Sequence, residues 1–360
     1  MIKLKLSAII IGLLIGFSAN AQRPVTLCLT GKLELTLPEY KMSFINAVNL
    51  AQSHNAVSKQ VHIKTYFYDN KPLSAIRVYN EMLHDHCSAI VGFEYLSDLL
   101  LIEKIQLDHS IPIFTSYASS NDLDTMPNNF FIFMPSYDYQ AKKMMDYLHG
   151  KFSKINKVLI ITEVDRADLA KYKIAYESIL NKEGIHYDQM DFIGDDNLFE
   201  EKLTQFLINK SYDFVFLFSG AVGSTKIINQ MNDHKITFIG TENFGSSTNQ
   251  SLYVRLNDKK IKALTIRNID FLKRSKELEV FVREYVKKYS ILPSPLSAYT
   301  YDAVMIILKA FEANRSVTTE NILKINYDGI TGAYIKDKKF HRSNQYVILS
   351  IGEKGFVHEE

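Results

Sequence analysis

The sequence predicts an α/β protein of two doubly wound parallel-sheet lobes joined by three short hinge crossovers, and three observations carry that prediction. Short apolar runs, such as residues 25–30, 87–92 and 111–114, alternate with amphipathic helical stretches, the pattern of βαβ units whose parallel strands are buried on both faces. The alternation breaks at Pro135-Ser136 and then starts afresh, as though a second sheet were being laid down. At 360 residues the chain can bury a large core but divides more naturally into two.

The first residues read as an export signal. Lys3 and Lys5 precede a largely apolar run over 6–17, and Ala19-Asn20-Ala21 has the small-x-small form of a signal-peptidase site. The run is too short to span a bilayer, which takes roughly 20 residues, and no cysteine follows it directly to carry a lipid. Residues 1–21 are therefore expected to be removed and the mature protein to reside in the periplasm. Losing Lys3 and Lys5 lowers the basic count from 42 to 40 against 40 acidic residues. That balance argues against nucleic acid or an anionic surface as partner. Cys28 and Cys87 lie in a compartment that permits a disulfide. Both fall in predicted core strands, where neighbouring side chains rarely have bridging geometry, so two buried free thiols are expected.

In order, a strand at 25–30 is followed by a helix within 38–54, where Phe44, Ile45, Ala47, Val48 and Ala51 recur at helical spacing. A strand at 61–68 turns at Asp69-Asn70-Lys71-Pro72 into a helix with Ala75, Ile76, Tyr79, Met82 and Leu83 on one face. The strand at 87–92, the loop 93–97, the helix 98–107, the strand opening at Ile111 and the strand at 129–134 complete this unit. The second unit runs helix 138–150, strand 158–162, helix 168–182 closed by Gly184, strand 187–193, helix 198–208, strand 213–218, helix 222–232 and strand 237–240. Residues 261–266 read as an extended crossover, 277–288 and 297–313 as helices around Pro293 and Pro295, and 328–357 as strands turned by Gly329, Gly332 and Gly352. One lobe is thus expected over 22–135 and 265–331, the other over 136–264 and 332–360. Crossovers are expected near Pro135, Leu264 and Thr331, without a Gly- or Ser-rich linker.

The stretch 111–123 is the focus of the first lobe. Its apolar half fills a strand, and its hydroxyl-rich half presents Ser116, Tyr117, Ser119, Ser120 and Asn121 where ladder partners have run out. The competing reading is that these residues only make a turn. Ser97 follows the preceding strand and, by right-handed crossover, should share that crevice with Ser119. The loop after 237–240 presents Glu242.

Other chemistry lacks a carrier. No Gly-rich phosphate loop follows a strand; the nearest turn, Phe218-Ser-Gly-Ala-Val-Gly223, fits neither nucleotide fingerprint. There is no Gly-x-Ser-x-Gly elbow and no paired-histidine zinc helix. His84-Asp85-His86-Cys87 looks metal-like, but a helix end passing into a strand explains it, and no metal or cofactor is expected. Glu163, Asp165 and Asp168 suggest acid-base work, although a helix N-terminus favours acids through its dipole. Hydroxyls, rings, carboxylates and open backbone without an activated nucleophile describe a site that holds a small polar ligand, not an enzyme.

The order of these motifs resembles the type I periplasmic solute-binding proteins, in the branch of the leucine/isoleucine/valine-binding proteins of ABC transporters. The resemblance rests on Tyr68-Asp69-Asn70; on Ala89-Ile-Val-Gly92; on the proline-led strand and turn over 111–123; on Asp213-Phe-Val215; on Phe238-Ile-Gly-Thr-Glu242; on Tyr301-Asp-Ala303; and on Asp328-Gly-Ile-Thr-Gly332. It implies a monomer that binds an amino acid or small carboxylate between its lobes and delivers it to an inner-membrane ABC transporter permease or a sensor. By position it implies that Ser97 and the amides near Ser119 take a carboxylate. The Ala118 carbonyl, the Ser119 hydroxyl and Glu242 would take an ammonium. Tyr117 stands where the family has a small residue and would fill the pocket, Arg166 would add charge, and the ring expected near Ser219-Gly220 is missing. A regulatory envelope protein of the same fold, contacting a protein partner, is the alternative.

Overall fold

The computed structural model describes residues 25–32, 38–69, 71–106, 110–116, 118–194, 196–231, 235–241, 244, 261–272, 274–342, 345–352 and 355–359. The expected export signal, Tyr117 and Glu242 lie outside the described residues.

The first sheet is built around β1 (Val25–Lys32), which pairs in parallel with β2 (Val61–Tyr68) on one side and β3 (Ala89–Val91) on the other. β4 (Ile113–Thr115) and β5 (Phe130–Ile132) extend it, giving the order β2-β1-β3-β4-β5 with every pairing parallel. Alternation along β1 sorts its side chains to two cores. Val25, Leu27 and Leu29 pack with Phe44, Ala47, Val48 and Ala51 of α1 (Pro38–Ser53). Cys28 packs on the opposite face with Tyr79 and Met82 of α2 (Pro72–His84) and Leu99 and Ile102 of α3 (Leu96–Ile105). Burial of a side chain such as Leu27 stabilises by about 1.5–3 kcal/mol.

The chain then passes α4 (Tyr137–Lys151) into a second sheet. β6 (Val158–Glu163), α5 (Ala167–Lys182), β7 (Tyr187–Phe192), α6 (Phe199–Leu207), β8 (Phe214–Phe218), α7 (Ala221–Gln230), β9 (Thr237–Gly240) and β10 (Lys262–Arg267) follow. The order is β15-β14-β10-β9-β8-β6-β7, where β14 (Val347–Gly352) and β15 (Gly355–His358) form an antiparallel edge hairpin. Here too the residues alternate: Leu159, Ile161, Val215 and Leu217 face one core, and Ile160, Phe214, Phe216 and Phe218 face the other.

After β10 the chain returns to the first lobe. α8 (Lys276–Tyr289) and α9 (Pro295–Asn314) bury Phe281, Tyr285, Val304 and Ile307 in the core shared with β1. α10 (Thr319–Lys324) leads to a small antiparallel sheet of β11 (Tyr327–Asp328), β12 (Tyr334–Lys336) and β13 (Lys339–His341), whose Tyr327, Ile335 and Phe340 pack on that same core.

Three expectations need correction. Residues 261–266 are not a free crossover: β10 is a full member of the second sheet, parallel to β9, and the chain leaves it after Arg267. The passage expected near Thr331 lies later, between His341 and Val347. The turn at 329–333 is pinned to the first lobe by the buried Asp302 of α9. Its Oδ1 accepts from the Tyr327 hydroxyl (2.6 Å) and the Ile330 N–H (3.0 Å), and its Oδ2 accepts from the Thr331 N–H (2.9 Å) and hydroxyl (2.6 Å). Gly329 is needed beside it, since a Cβ there would lie 2.4 Å from Asp302 Oδ2. Finally, Cys28 and Cys87 form a disulfide, with Cα atoms 5.8 Å apart. Cys87 is not in a strand, because β3 begins only at Ala89. His86 takes a left-handed conformation (φ 55°) and the Cys87 N–H donates to the Met82 carbonyl (3.0 Å), so the turn places Cys87 over the face of β1 that carries Cys28. The same turn accounts for the metal-like run: Asp85 accepts from the Tyr66 hydroxyl and pairs with Lys64 at 2.9 Å.

Candidate functional site

The carboxyl edges of the two parallel sheets are brought together by contacts that cross from lobe to lobe. Lys171 of α5 pairs with Asp122, beyond β4, at 3.0 Å. The Ser119 hydroxyl donates to the Pro135 carbonyl on the first passage, and Gln140 of α4 donates its amide to Ser119 Oγ (3.4 Å) and to the Pro135 carbonyl (3.2 Å). The Tyr172 hydroxyl donates to Gln140 Oε1 (2.9 Å), which ties α5 to the same joint. At the second passage the Asn268 amide lies 2.7 Å from the Met134 sulfur.

The first-lobe edge starts at Gly92, whose φ of +141° suits glycine and where a Cβ would lie 2.1 Å from the Thr30 carbonyl oxygen. This turn sends Phe93 into the core and places Glu94 at the strand end, 6% exposed, with Oε2 accepting the Ser116 N–H (3.2 Å). Tyr95, the N-cap of α3, is half-buried, and burial pushes its phenol up to about 12. Arg166 and Asp168 of the opposite lobe act on that phenol, as do Asp98 and Glu94 of its own. Asp98, in the first turn of α3 and 4% exposed, accepts the Tyr68 hydroxyl at 2.7 Å. Burial, with the Asp98 charge adding to it, holds the Tyr68 phenol well above its usual range. The Ser116 hydroxyl reaches Thr300 of α9 at 3.4 Å, fastening this edge to the helix beneath it.

The second-lobe edge is more open. Glu163 ends β6 and accepts the Gly220 N–H (2.6 Å), while Asp165 accepts the Gly194 N–H (3.2 Å). Arg166 pairs with Asp168 at 3.1 Å. Burial works against the guanidinium charge, but Asp168 and then Glu163 outweigh it, so the pKa of Arg166 stands raised. Among the described residues, no group of His, Cys, Asp and Glu is arranged to hold a metal.

Of the residues read from the sequence, Ala118 and Ser119 are buried at the end of β4, and the Ser119 hydroxyl is engaged at the joint. Ser97 is exposed in the first turn of α3, with its hydroxyl 3.4 Å from Asp98. Ser219 is half-buried beyond β8, its hydroxyl 2.7 Å from that of Ser224. Ser97 and Ser119 thus flank neighbouring strands, but their hydroxyls go to different partners. Glu94 and Tyr95 were not singled out. The signal lay in Gly92-Phe-Glu-Tyr95, a carboxylate and a phenol directly after a strand-ending glycine.

A family model described as periplasmic binding protein matches residues 26–354. No curated protein matches the chain by sequence. Among solved structures the chain is similar to a leucine-binding protein, LivK, of Thermotoga maritima, at 15% identity, covering 93% of this chain and 98% of that one with a TM-score of 0.77. It is similar to the branched-chain amino acid substrate-binding protein LivJ of Streptococcus pneumoniae, solved with isoleucine, at 18% identity, covering 94% and 100% with a TM-score of 0.75. A solute-binding protein of Rhodopseudomonas palustris, solved with 3,4-dihydroxybenzoic acid, is 14% identical, covering 91% and 92% with a TM-score of 0.68. With a family match running nearly its whole length, the chain belongs to the periplasmic binding protein family.

Proposed function

We propose that this protein captures a small polar solute, an amino acid or a small carboxylate, between its two lobes outside the cytoplasm and hands it to an ABC transporter permease. What supports this most is that the two edges act on each other across the lobes, Arg166 and Asp168 on the Tyr95 phenol and Lys171 on Asp122 at 3.0 Å; Glu94, Tyr95, Ser97, Ala118 and Ser119 on one side and Glu163, Arg166 and Ser219 on the other are proposed to line the space between them. Tyr117 and Glu242 are proposed to join that lining. Closure is a hinge motion about the chain passages between the lobes, between open and closed states, in which the ligand favours the closed one. The solved relatives named above hold isoleucine and a dihydroxybenzoic acid, which is the size and polarity class such a gap would accept.

The test is a melting-temperature screen of unfolded and refolded mature protein against amino acids and small carboxylates. A ligand that binds only the native state at a hundred times its Kd stabilises by about 2.7 kcal/mol, a shift of several degrees. One observation favours a second reading, a regulatory envelope protein with a self-occupied cleft: the Ser116 N–H and the Ser119 hydroxyl are both satisfied from within the chain. Absence of any shift across the screen, together with co-purification of an envelope protein, would favour that reading.

A further inference from the structure

The mature chain is balanced in charge, but residues 334–342 are not. They hold Lys336, Lys338, Lys339, His341 and Arg342 against the single carboxylate of Asp337. These residues form the β12–β13 hairpin, in which Tyr334 pairs with His341, Ile335 with Phe340 and Lys336 with Lys339. Side chains alternate along a strand, so this register sorts them. Ile335 and Phe340 pack on the first-lobe core, and Tyr334, Lys336, Lys339 and His341 share the opposite face. Tyr334 is 36% exposed, and its ring stacks on His341 with centroids 4.4 Å apart. Lys336, Lys338 and Lys339 are all exposed.

Three features of the hairpin work against its own stability. Lys336 and Lys339 lie directly opposite one another, where like charges repel. The two-residue turn holds both Asp337 (φ 51°) and Lys338 (φ 59°) in the left-handed region, which favours Asn-Gly. None of the three lysines has an ion pair among the described residues. Glu320, close enough to Lys338 to feel its charge, is paired with Lys324 at 2.6 Å, and Asp328 stands opposite Tyr334, two positions along β12 from Lys336. Protection of a sheet edge would account for Lys339 on β13 but not for Lys336 on the central strand β12. Costs gathered in one exposed segment point to a task performed there.

An anionic surface would relieve the repulsion. On the extracytoplasmic reading above, the surface this protein meets is the membrane that holds the permease, and lysine heads on long stems beside an exposed phenol suit its headgroup layer. We propose that the outer face of the β12–β13 hairpin docks the protein on an anionic phospholipid surface, with Lys336 and Lys339 together holding headgroup phosphates and Lys338 reaching from the turn.

The experiment is flotation of the mature protein with vesicles of phosphatidylcholine alone, or of phosphatidylcholine and phosphatidylglycerol in equal parts. Binding to the mixed vesicles only is expected, present at about 0.1 M salt and lost at about 1 M, where the Debye length falls to about 3 Å. Replacing any one of the three lysines by glutamine should weaken it about fivefold. Lys339→Glu gives the sharper readout. By setting opposite charges across the hairpin it should raise the melting temperature by about 1–2 °C, while weakening vesicle binding at least tenfold. Millimolar glycerol phosphate should leave the protein on the vesicles; displacement by it would mean a site for one free phosphate and overturn surface docking. Tighter binding to polyglutamate than to the mixed vesicles would assign the face to an acidic protein and overturn the lipid. No flotation with the mixed vesicles, or unchanged flotation of Lys339→Glu, also overturns the proposal. None of these results bears on solute capture, which the melting-temperature screen decides separately.

Discussion

The two edges that meet at the gap are built differently. On the first lobe Glu94, Asp98, Ser116 and Ser119 are each less than a tenth exposed and bonded into the core or the joint. On the second, Glu163 and Asp168 are half-buried, Asp165 is exposed, and the ties are the Arg166–Asp168 pair and contacts to the Gly194 and Gly220 amides. Buried hydrogen bonds are costly to break because the orphaned group has no water to turn to, whereas exposed ion pairs exchange readily for solvent. The difference makes the first lobe a fixed platform and the second a surface whose charged side chains can re-pair with one another or with solvent.

The largest expected effects lie on the platform. Cys28 and Cys87 close a loop of 59 residues. In the chain-entropy account, opening a loop of that length by the double change to alanine costs about 4 kcal/mol, read as a lowered urea midpoint. An effect below 1 kcal/mol would mean that the turn at His86 holds β3 against β1 without the bridge, and the platform would owe its stiffness to packing alone. Asp302→Asn comes next. Each carboxylate oxygen of Asp302 accepts two donors, so an amide NH2 must face two of them wherever it points. Roughly 3 kcal/mol of stability should go. Arg166→Ala on the open edge should cost less than about 1 kcal/mol, since the side chains of the pair are 42% and 40% exposed and water screens their attraction. If it costs as much as Asp302→Asn, the two edges do not differ as described.

The same difference decides what could be read from the sequence. Strands and helices of both lobes were legible because β6 and β8 carry apolar runs, β1 alternates apolar residues with threonine, and the helices keep one apolar face. The restart after Pro135 was visible as a break in that alternation. What escaped depends on long-range pairing. The disulfide needed the left-handed turn at His86, and the late third passage needed a single buried acid in α9 reaching a turn 28 residues away. At the gap, the hydroxyls of 116–120 were found because they cluster in sequence. The commitment of Ser119 to Pro135 and Gln140 could not be seen, since it joins residues 16 and 21 positions apart. Nothing in the local sequence around Glu94 marks its burial against Ser116, a residue 22 positions away.

The smallest effect concerns the ion pair that bridges the edges. Lys171 and Asp122 are each 45% exposed at the side chain and 3.0 Å apart. The Lys171 ammonium, and after it the Ser120 hydroxyl, hold the Asp122 carboxyl below its usual range. A carboxyl depressed in the native state contributes its stability above the ordinary value, about 3.9, and loses it as pH falls through the lowered one. Lys171→Met should therefore cost less than about 1 kcal/mol at pH 7 and low salt. The gap between wild type and variant should narrow as pH drops below about 4, vanish under the lowered value, and shrink at neutral pH in about 1 M salt, where the Debye length is about 3 Å. Because the pair joins one lobe to the other, its loss should also shift unliganded protein toward a larger radius of gyration by X-ray scattering. A stability difference that holds constant across pH and salt would show that Lys171 acts through the packing of its stem on α5, leaving the two edges without a charged tie between them.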